Sequence, residues 1–501
     1  MPPPTSAATL QWLSLVAIIW LQSVNGTNTT FPAYSSQLKN LLSLSQLQLN
    51  NLAFASDAGK LFGFISGVAA LHLPLPLVLL AGSLLGLAGY GTQYLFLTGT
   101  FITSLSYPQI FLLTVLAGNS ICWINTVCYV VAVRNFPAGH QPLAVGLSTA
   151  YQGLSAKIYT VFAAAVFPRS KNPAEAYLLL SSLLPLLVTT FTAPLLRNGG
   201  AEWGPVEMGR GGVVAMFLVT IATGKKKGST RIHTMNYVEE IENGVVEGGG
   251  ETKLPMETAV ATISDEGKSC GDVSGDEKEG FVGVGVMVKR VEFWVYFGAY
   301  LCGPTIGLVF LNNLGQIAES RGEVRTSSLV ALSSSFGFFG RLVPSFLDYF
   351  LARSRCKMIS RPASIAALMA PMAAAFFLLV INTTASFNHV ALYVSTAVIG
   401  VCTGAITSIS VSTTSDLFGT ANFSLNHNIV VANIPLGSFA FGYLAAFFYH
   451  REGGGGGKCM GMLCYRDTFV IWGSLCGFGT LLALVLHART RKLYSQTVLA
   501  T

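Results

Sequence analysis

Long apolar runs separated by short polar segments make up most of the chain, and one polar stretch, residues 197–290, divides them into two sets. Six runs precede that stretch and six follow it, each close to the ~20 apolar residues that a helix needs to cross a bilayer. The runs show no period-two alternation, which argues against a membrane barrel, and backbone groups in lipid must be satisfied within their own segment. We therefore predict helices over 7–24, 58–73, 75–96, 107–133, 143–167, 174–196, 291–311, 326–350, 362–381, 389–411, 428–449 and 468–487.

This division predicts an all-α membrane protein of two six-helix bundles, residues 7–196 and 291–490, joined by a cytosolic linker. The first run has a second interpretation, since its apolar segment 10–20 and the small residues that follow also fit a cleaved signal peptide. No Lys or Arg precedes the run, and a secretory signal normally carries one there. We therefore interpret the run as the first spanning helix.

Charge is concentrated in the polar stretch, which holds 11 Lys/Arg and 14 Asp/Glu of the 53 charged side chains (30 plus 23) in the chain. Most of it has too little apolar content to offset the entropy of folding, so we predict a disordered tether. Its apolar segment 211–223 has three interpretations: an interfacial helix, a partly buried thirteenth helix or an apolar patch. The basic residues 225–227 that follow favour an interfacial helix.

Composition excludes several classes of protein. Hydrophobic residues make up 51% of the chain and charged residues 11%, whereas a soluble domain carries about 25% charged residues. The sequence lacks the dense basic face that would suggest nucleic-acid binding. The chain contains no G-x-x-x-x-G-K-[ST] or H-E-x-x-H motif, so we predict neither an ATP-driven pump nor an enzyme, and no cofactor or metal.

Acceptor sequons and cysteines suggest the orientation. With both termini in the cytosol, the sequons at Asn25, Asn28 and Asn382 all fall on the opposite side, and we predict glycans there. Cys459 and Cys464 fall on that side too, and we predict a disulfide if it is oxidising. Basic residues near the spans give the same orientation a slight advantage. The sequence does not indicate which membrane holds the protein.

Lys157 is the most unusual residue within the apolar runs. It lies deep in run 143–167, where a charge is costly unless it faces a cavity or a partner. We interpret it as a cavity cation for an anionic solute, with a structural ion pair or a different helix boundary as the alternatives.

Amide side chains form further clusters near span ends, one of them followed by Pro435 and Gly437, which could break a helix. Broken helices and amides often line a midplane site, although helix capping and interhelical hydrogen bonding explain them equally simply. Including Lys157, the candidates for a substrate cavity are Asn125, Tyr151, Gln152, Lys157, Asn312, Asn313, Gln316, Asn426, Asn428 and Asn433.

Arg341 and Asp348 lie two turns apart in run 326–350, and Arg353 follows. A carboxylate that faces basic residues at a helix end can latch a gate in one state and release it in the other. An ordinary interfacial anchor is the alternative. The remaining carboxylates of the apolar halves, including Asp57, lie at run edges, so we do not predict proton coupling through a buried acid.

Seven stretches carry a family resemblance. They are SQLQLNNLAFASDAGKLFGFISG (45–67), CWINTVCYVVAVRNFP (122–137), GLSAKIYT (153–160), GLVFLNNLGQIAES (307–320), FGFFGRLVPSFLDYF (336–350), TSDLFGTANFSLNHN (414–428) and CMGMLCYRDTF (459–469). They resemble the plant nodulin-like membrane proteins, including the nuclear-fusion-defective type, of the major facilitator superfamily. The resemblance implies about twelve helices in two pseudo-symmetric bundles and alternating access around a central cavity.

The resemblance has one informative departure. The superfamily's loop signature after the second helix of each bundle has the form G-x-x-x-D-R-x-G-R. The second half keeps Asp348 and Arg353 but has Pro344 in place of the glycine, and the first half, after His72, has neither Asp nor Arg. This implies a gate latch on one half only.

Together these observations predict a secondary transporter or facilitator, embedded in the bilayer, that moves a small polar solute, anionic solutes included, by alternating access. The alternative is a membrane receptor or scaffold that keeps the transporter fold without transporting.

Overall fold

The computed structural model describes residues 4–44, 46–99, 102, 104–136, 140–167, 173–196, 283–322, 326–355, 360–381, 384–453 and 459–500. These residues belong to one compact unit, and they contain helices and turns but no strand. The predicted all-α fold is confirmed. The predicted tether, with its apolar segment 211–223, lies outside the described residues apart from its last few positions.

The described residues of the first half form eight helices, several of which continue one another. They are α1 (Pro4–Val24), α2 (Phe31–Leu41), α3 (Gln46–Ala58), α4 (Gly63–His72), α5 (Leu75–Leu97), α6 (Tyr107–Arg134), α7 (Gln141–Val166) and α8 (Pro173–Thr192). Short 3₁₀ turns at Thr27–Thr30 and Gly59–Phe62 join α1 to α2 and α3 to α4.

The second half also consists of helices, several of which continue one another. Its helices are α9 (Val284–Lys289), α10 (Val291–Tyr300), α11 (Ile306–Ser320), α12 (Thr326–Arg355), α13 (Arg361–Leu378), α14 (Ala385–Phe418), α15 (Phe423–Val431), α16 (Asn433–Glu452) and α17 (Leu463–Ala500). A π-turn at Leu301–Thr305 joins α10 to α11 and contains Pro304, whose ring removes a backbone donor from the helix ladder.

Every predicted run falls on helix. Among the described residues, ten continuous or jointed helices are long and apolar enough to cross a membrane. The two remaining runs correspond to α1 and α7, which are also helical, over 21 and 26 residues. The predicted break near Pro435 is present as well, because α15 ends at Val431 and α16 begins at Asn433.

The first two spans differ from the prediction, because helix continues through the polar segment between them. Residues 27–41 extend the first span and residues 46–58 extend the second, where the apolar pattern predicted a loop. Asn25, Tyr34 and Asp57 in this segment are buried, at 1%, 4% and 2% exposed. Hydrophobicity alone misplaced these boundaries because the polar side chains face protein partners rather than water.

Two names describe the ends of the bundle. Trp12 near the start of α1 packs edge-on against Phe136 just after α6, at 6.5 Å between ring centroids, so α1 begins where α6 ends. We call this the His72 end, since α4, which runs alongside α6, also ends there. The opposite end, where α16 ends and α17 begins, is the disulfide end.

Candidate functional site

A buried ion pair lies at the joint between α3 and α4. Lys60 Nζ is 2.5 Å from Asp57 Oδ1, and the two residues are 7% and 2% exposed. The 3₁₀ turn that begins at Gly59 places side chains three residues apart above one another, which brings these charges together. A charge at this depth is tolerated because its partner is adjacent.

The second oxygen of the same carboxylate bonds to the other half of the protein. Asp57 Oδ2 accepts hydrogen bonds from Asn312 Nδ2 of α11 at 3.0 Å and from Ser438 Oγ of α16 at 2.6 Å. The expectation that Asp57 lies at the edge of a span is wrong, because α3 begins at Gln46 and carries Asp57 into the interior. Sequence reasoning missed this residue; the Asp-x-x-Lys spacing beside an apolar run was the available signal.

A small cavity lies next to this bridge. It has a volume of about 60 Å³, and its polar lining comes from Asn51, Asn312, Asn313, Ser438 and Tyr443. Since one water needs about 10–15 Å³ by this measure, the cavity holds a few waters and no larger solute. It is open on one side, where Phe439 and Tyr443 are 60% and 64% exposed.

A second set of bonds crosses between the halves nearer the His72 end. Asn428 Nδ2 donates to Thr126 Oγ1 at 2.9 Å, and Ser424 Oγ donates to the Gly67 carbonyl at 3.0 Å. The Thr126 hydroxyl also lies 2.7 Å from that of Ser66. We call the line of contact between the halves, from Asp57 to Gly67, the seam.

Three amides meet inside the first half. Asn25 Nδ2 donates to Asn125 Oδ1 at 2.8 Å and to the Ile121 carbonyl at 3.3 Å, and Gln152 Nε2 donates to Asn125 Oδ1 at 3.1 Å. The structure thus brings the candidates Asn125 and Gln152 together. Asn25, a predicted glycan acceptor, has its amide buried between helices at the break between α1 and α2, which argues against a glycan there. Asn28 is half-buried in the adjoining turn, and Asn382 lies outside the described residues.

Other amide candidates lie elsewhere. Gln316 accepts a hydrogen bond from the Tyr465 hydroxyl at 2.8 Å, and Asn433 Oδ1 accepts one from Thr305 Oγ1 at 3.0 Å, both within the second half. Asn313 lines the cavity but donates to its own helix, to the Val309 carbonyl at 2.8 Å. Asn426 is fully buried on α15.

The proposed gate has a different partner from the one predicted. Asp348 Oδ2 is 4.0 Å from Arg361 Nε, and Arg361 also bonds to the Asp416 carboxylate and, at 3.1 Å, to the Ser412 carbonyl. Arg361 begins α13 at the His72 end. Asp348 therefore pairs with Arg361 rather than Arg341, and the side chain of Arg353 lies outside the described residues.

Arg341 lies near the middle of α12, against α7. A Cβ built on Gly153 of α7 would overlap the Arg341 guanidinium, so the glycine leaves the space that this group occupies. Tyr129 of α6 and Tyr300 of α10 are its electrostatic neighbours.

Two further candidates lie on the same helix as Gly153. Tyr151 packs edge-on against Phe338 at 6.0 Å between ring centroids. Lys157 is half-buried, one turn beyond Gly153 on the same helix face, and makes no hydrogen bond or ion pair within the described ranges.

A disulfide joins Cys459 to Cys464, with their Cα atoms 5.8 Å apart. The loop that it closes is held down by two contacts: Cys459 N donates to Tyr449 Oη at 3.1 Å, and Gly461 N donates to the Ser320 carbonyl at 2.7 Å. These contacts tie together the disulfide ends of α11, α16 and α17.

Arg321 lies beside this loop. It donates to the Leu379 carbonyl at 2.8 Å, and its guanidinium lies 5.5 Å from the centre of the Phe469 ring. Burial lowers the pKa of Arg321 to about 10, which still leaves the group charged at neutral pH. In the part of the chain that the structure describes, no three His, Cys, Asp or Glu side chains are grouped to hold a metal ion.

Comparisons with known families cover almost the whole chain. Residues 11–225 match the Nodulin-like family model, and residues 278–496 match the model of the C-terminal domain of NFD4. The chain is 37% identical over 534 aligned residues to Protein NUCLEAR FUSION DEFECTIVE 4 of Arabidopsis thaliana, an alignment that covers 97% of this chain and 89% of the relative.

Solved structures show the same fold at low identity. The proton:xylose symporter XylE of the major facilitator superfamily, bound to 6-bromo-6-deoxy-D-glucose, aligns with a TM-score of 0.59 at 11% identity over 95% of both chains. The major facilitator transporter FucP in its outward conformation aligns with a TM-score of 0.53 at 11% identity, over 95% of this chain and 98% of that one.

Proposed function

The chain belongs to the nodulin-like family and has the major facilitator fold, and on that premise we propose that it is a secondary transporter that moves a small polar solute between its two halves by alternating access. The observation that carries this proposal is the Asp57 carboxylate, which is buried, charged and shared by both halves.

The chemistry of the seam supports this function. A rocking transporter must break and re-form the contacts between its halves. Hydrogen bonds suit this task because each contributes only about 0.5–1.5 kcal/mol net, or about 1.5–3 kcal/mol with a charged partner, and water or a solute can replace the lost partner. A solute hydroxyl or amide can take the places of Asn312 and Ser438 on Asp57.

The ion pairs at the His72 end supply a gate in this proposal. Asp348, Arg361 and Asp416 come from three different helices of the second half, so a relative movement of these helices changes their pairing. These ion pairs lie in the second half, and the departure from the superfamily signature implies a latch on that half only.

We further propose that the His72 end and both termini face the cytosol, and that residues 197–290 form a cytosolic tether between bundles 7–196 and 291–490. The disulfide supports this orientation, because such bonds persist in oxidising compartments and the cytosol is reducing.

Uptake into proteoliposomes tests the proposal. The full chain is assayed with radiolabelled polyols, sugars, amino acids and carboxylates, beside the Asp57→Asn variant and the control Asp467→Asn. Asp467 belongs to an exposed ion pair, with 48% of its side chain accessible. We expect uptake of at least one solute by the wild type and the control, and loss of that uptake in Asp57→Asn.

A different outcome would favour the scaffold. The folded protein would then move no solute in the panel, while deletion of residues 225–285 would abolish the phenotype that the protein produces in cells. With that result, the chain signals through its tether instead of transporting.

A further inference from the structure

We propose that Arg341 binds an oxyanion, a carboxylate or a phosphate, of the transported solute. This inference rests on the proposed transport function and gives its substrate a chemical class: small organic anions rather than neutral sugars.

The position of Arg341 places it on a path between the halves. It lies fifteen residues after the start of α12 at Thr326 and fourteen before its end at Arg355, near mid-helix. Its neighbours Gly153 and Tyr129 belong to the first half, and Tyr300 belongs to the second. The guanidinium therefore points into the protein between the two halves, not into lipid.

Arg341 differs from the two interior cations that have carboxylate partners. Lys60 is paired with Asp57, and Arg361 with Asp416 and Asp348. Among the described residues, Arg341 has no acidic partner and its side chain makes no hydrogen bond; its electrostatic neighbours are the two tyrosines. Among the described residues, no carboxylate supplies a counter-charge to the Arg341 guanidinium.

An uncompensated guanidinium in the interior is costly, and arginine cannot reduce the cost by losing its proton. A ligand that brings a negative charge removes the penalty. The planar fork of donors matches the two oxygens of a carboxylate or phosphate, so such a ligand gains paired, charge-assisted hydrogen bonds.

The surroundings fit an anion rather than a cation. Gly153 leaves room for the guanidinium, since any larger side chain there would overlap it. Tyr129 and Tyr300, whose phenols can donate hydrogen bonds, are within electrostatic range of it. Lys157 adds a second cation one turn along the same face of α7, and it too has no acidic partner in the described ranges.

Binding to the purified full chain in nanodiscs tests the proposal separately from transport. Thermal unfolding and tryptophan fluorescence are followed with acetate, succinate and inorganic phosphate, and with xylitol as the neutral probe. We expect at least one of the three anions to bind the wild type, and xylitol not to bind at the same site. The anion that binds most tightly distinguishes a carboxylate site from a phosphate site.

Three variants locate the site. Arg341→Gln is expected to raise the Kd of that anion about tenfold or more, because it removes the charge and the fork together. Arg341→Lys keeps the charge without the fork and is expected to weaken binding by about threefold. The control Arg451→Gln, which alters an exposed arginine at the disulfide end, is expected to bind as the wild type does.

Two results would overturn the anion site: no binding of any of the three anions to the folded wild type, or wild-type affinity in Arg341→Gln. If Arg341→Gln does not fold, unchanged affinity in Arg341→Lys has the same consequence. Uptake of a neutral solute that Arg341→Gln leaves intact would refute the anion site and keep the transporter. Anion binding without any uptake would keep the site and refute the transporter.

Discussion

Ser438 donates a hydrogen bond to Asp57 at 2.6 Å, although the two residues are 381 positions apart in the chain. With Lys60 and Asn312 also donating, one carboxylate receives bonds from the turn after its own helix and from two helices of the other half. This group therefore contributes to the contact between the two halves.

Replacing Asp57 with Asn is expected to lower the free energy of unfolding by about 3–5 kcal/mol. The variant leaves the Lys60 ammonium buried without the carboxylate that compensates its charge. Unfolding by denaturant in mixed micelles measures the loss. The double variant Asp57→Asn/Lys60→Met removes both charges and should recover much of the stability. A double variant no more stable than the single one would show that the ion pair is not the cause.

Gly67 is where α4 comes closest to α15. A Cβ there would lie 2.8 Å from Leu425 Cα and 2.9 Å from the Ser424 carbonyl oxygen, so Gly67→Ala should disfavour the closed seam by about 1–3 kcal/mol. The expected result is faster modification of a Ser66→Cys variant by a thiol reagent, by about fivefold or more.

Gly477→Ala is the matched control for this substitution, because a Cβ at that glycine meets nothing within 4 Å. It should leave the labelling rate of Ser66→Cys unchanged. Equal labelling in the Gly67 and Gly477 variants would mean that the seam does not open at Gly67.

Asn25 is expected to carry no glycan despite its sequon, since the amide that an oligosaccharyltransferase must reach is 1% exposed and bonded to Asn125. Asn25→Gln should therefore leave the mobility of the protein on gels unchanged before and after deglycosylation. Any glycan should instead be lost with Asn28→Gln or Asn382→Gln. A mass decrease specific to Asn25→Gln would contradict the buried position.

Reduction of the Cys459–Cys464 disulfide is expected to lower the free energy of unfolding by about 2 kcal/mol. The intact disulfide closes a short loop and so restricts the unfolded chain. Thermal unfolding with and without reductant measures this. The double variant Cys459→Ser/Cys464→Ser should be as unstable as the reduced protein and should not respond to reductant. A response in that variant would assign the effect to another cysteine.

The helices themselves were predictable from the sequence, and so was the break before Pro435. Each spanning segment must satisfy its own backbone hydrogen bonds in lipid, so an apolar run of sufficient length specifies a helix with little reference to the rest of the chain. The start of α3 at Gln46 was not predictable in this way. The polar side chains of α3 have their partners on other helices, and a hydropathy pattern carries no information about those partners.

The sequence by itself determined the class of the protein: two sets of apolar helices around a polar interruption, and a family resemblance along both. Only the tertiary structure decided which polar side chains meet. It placed Asn25 in an amide cluster, gave Asp348 the partner Arg361, and left Arg341 without an acid among the described residues. The reason is physical: a buried charge or amide is defined by what compensates it, and here the compensating groups come from distant parts of the chain.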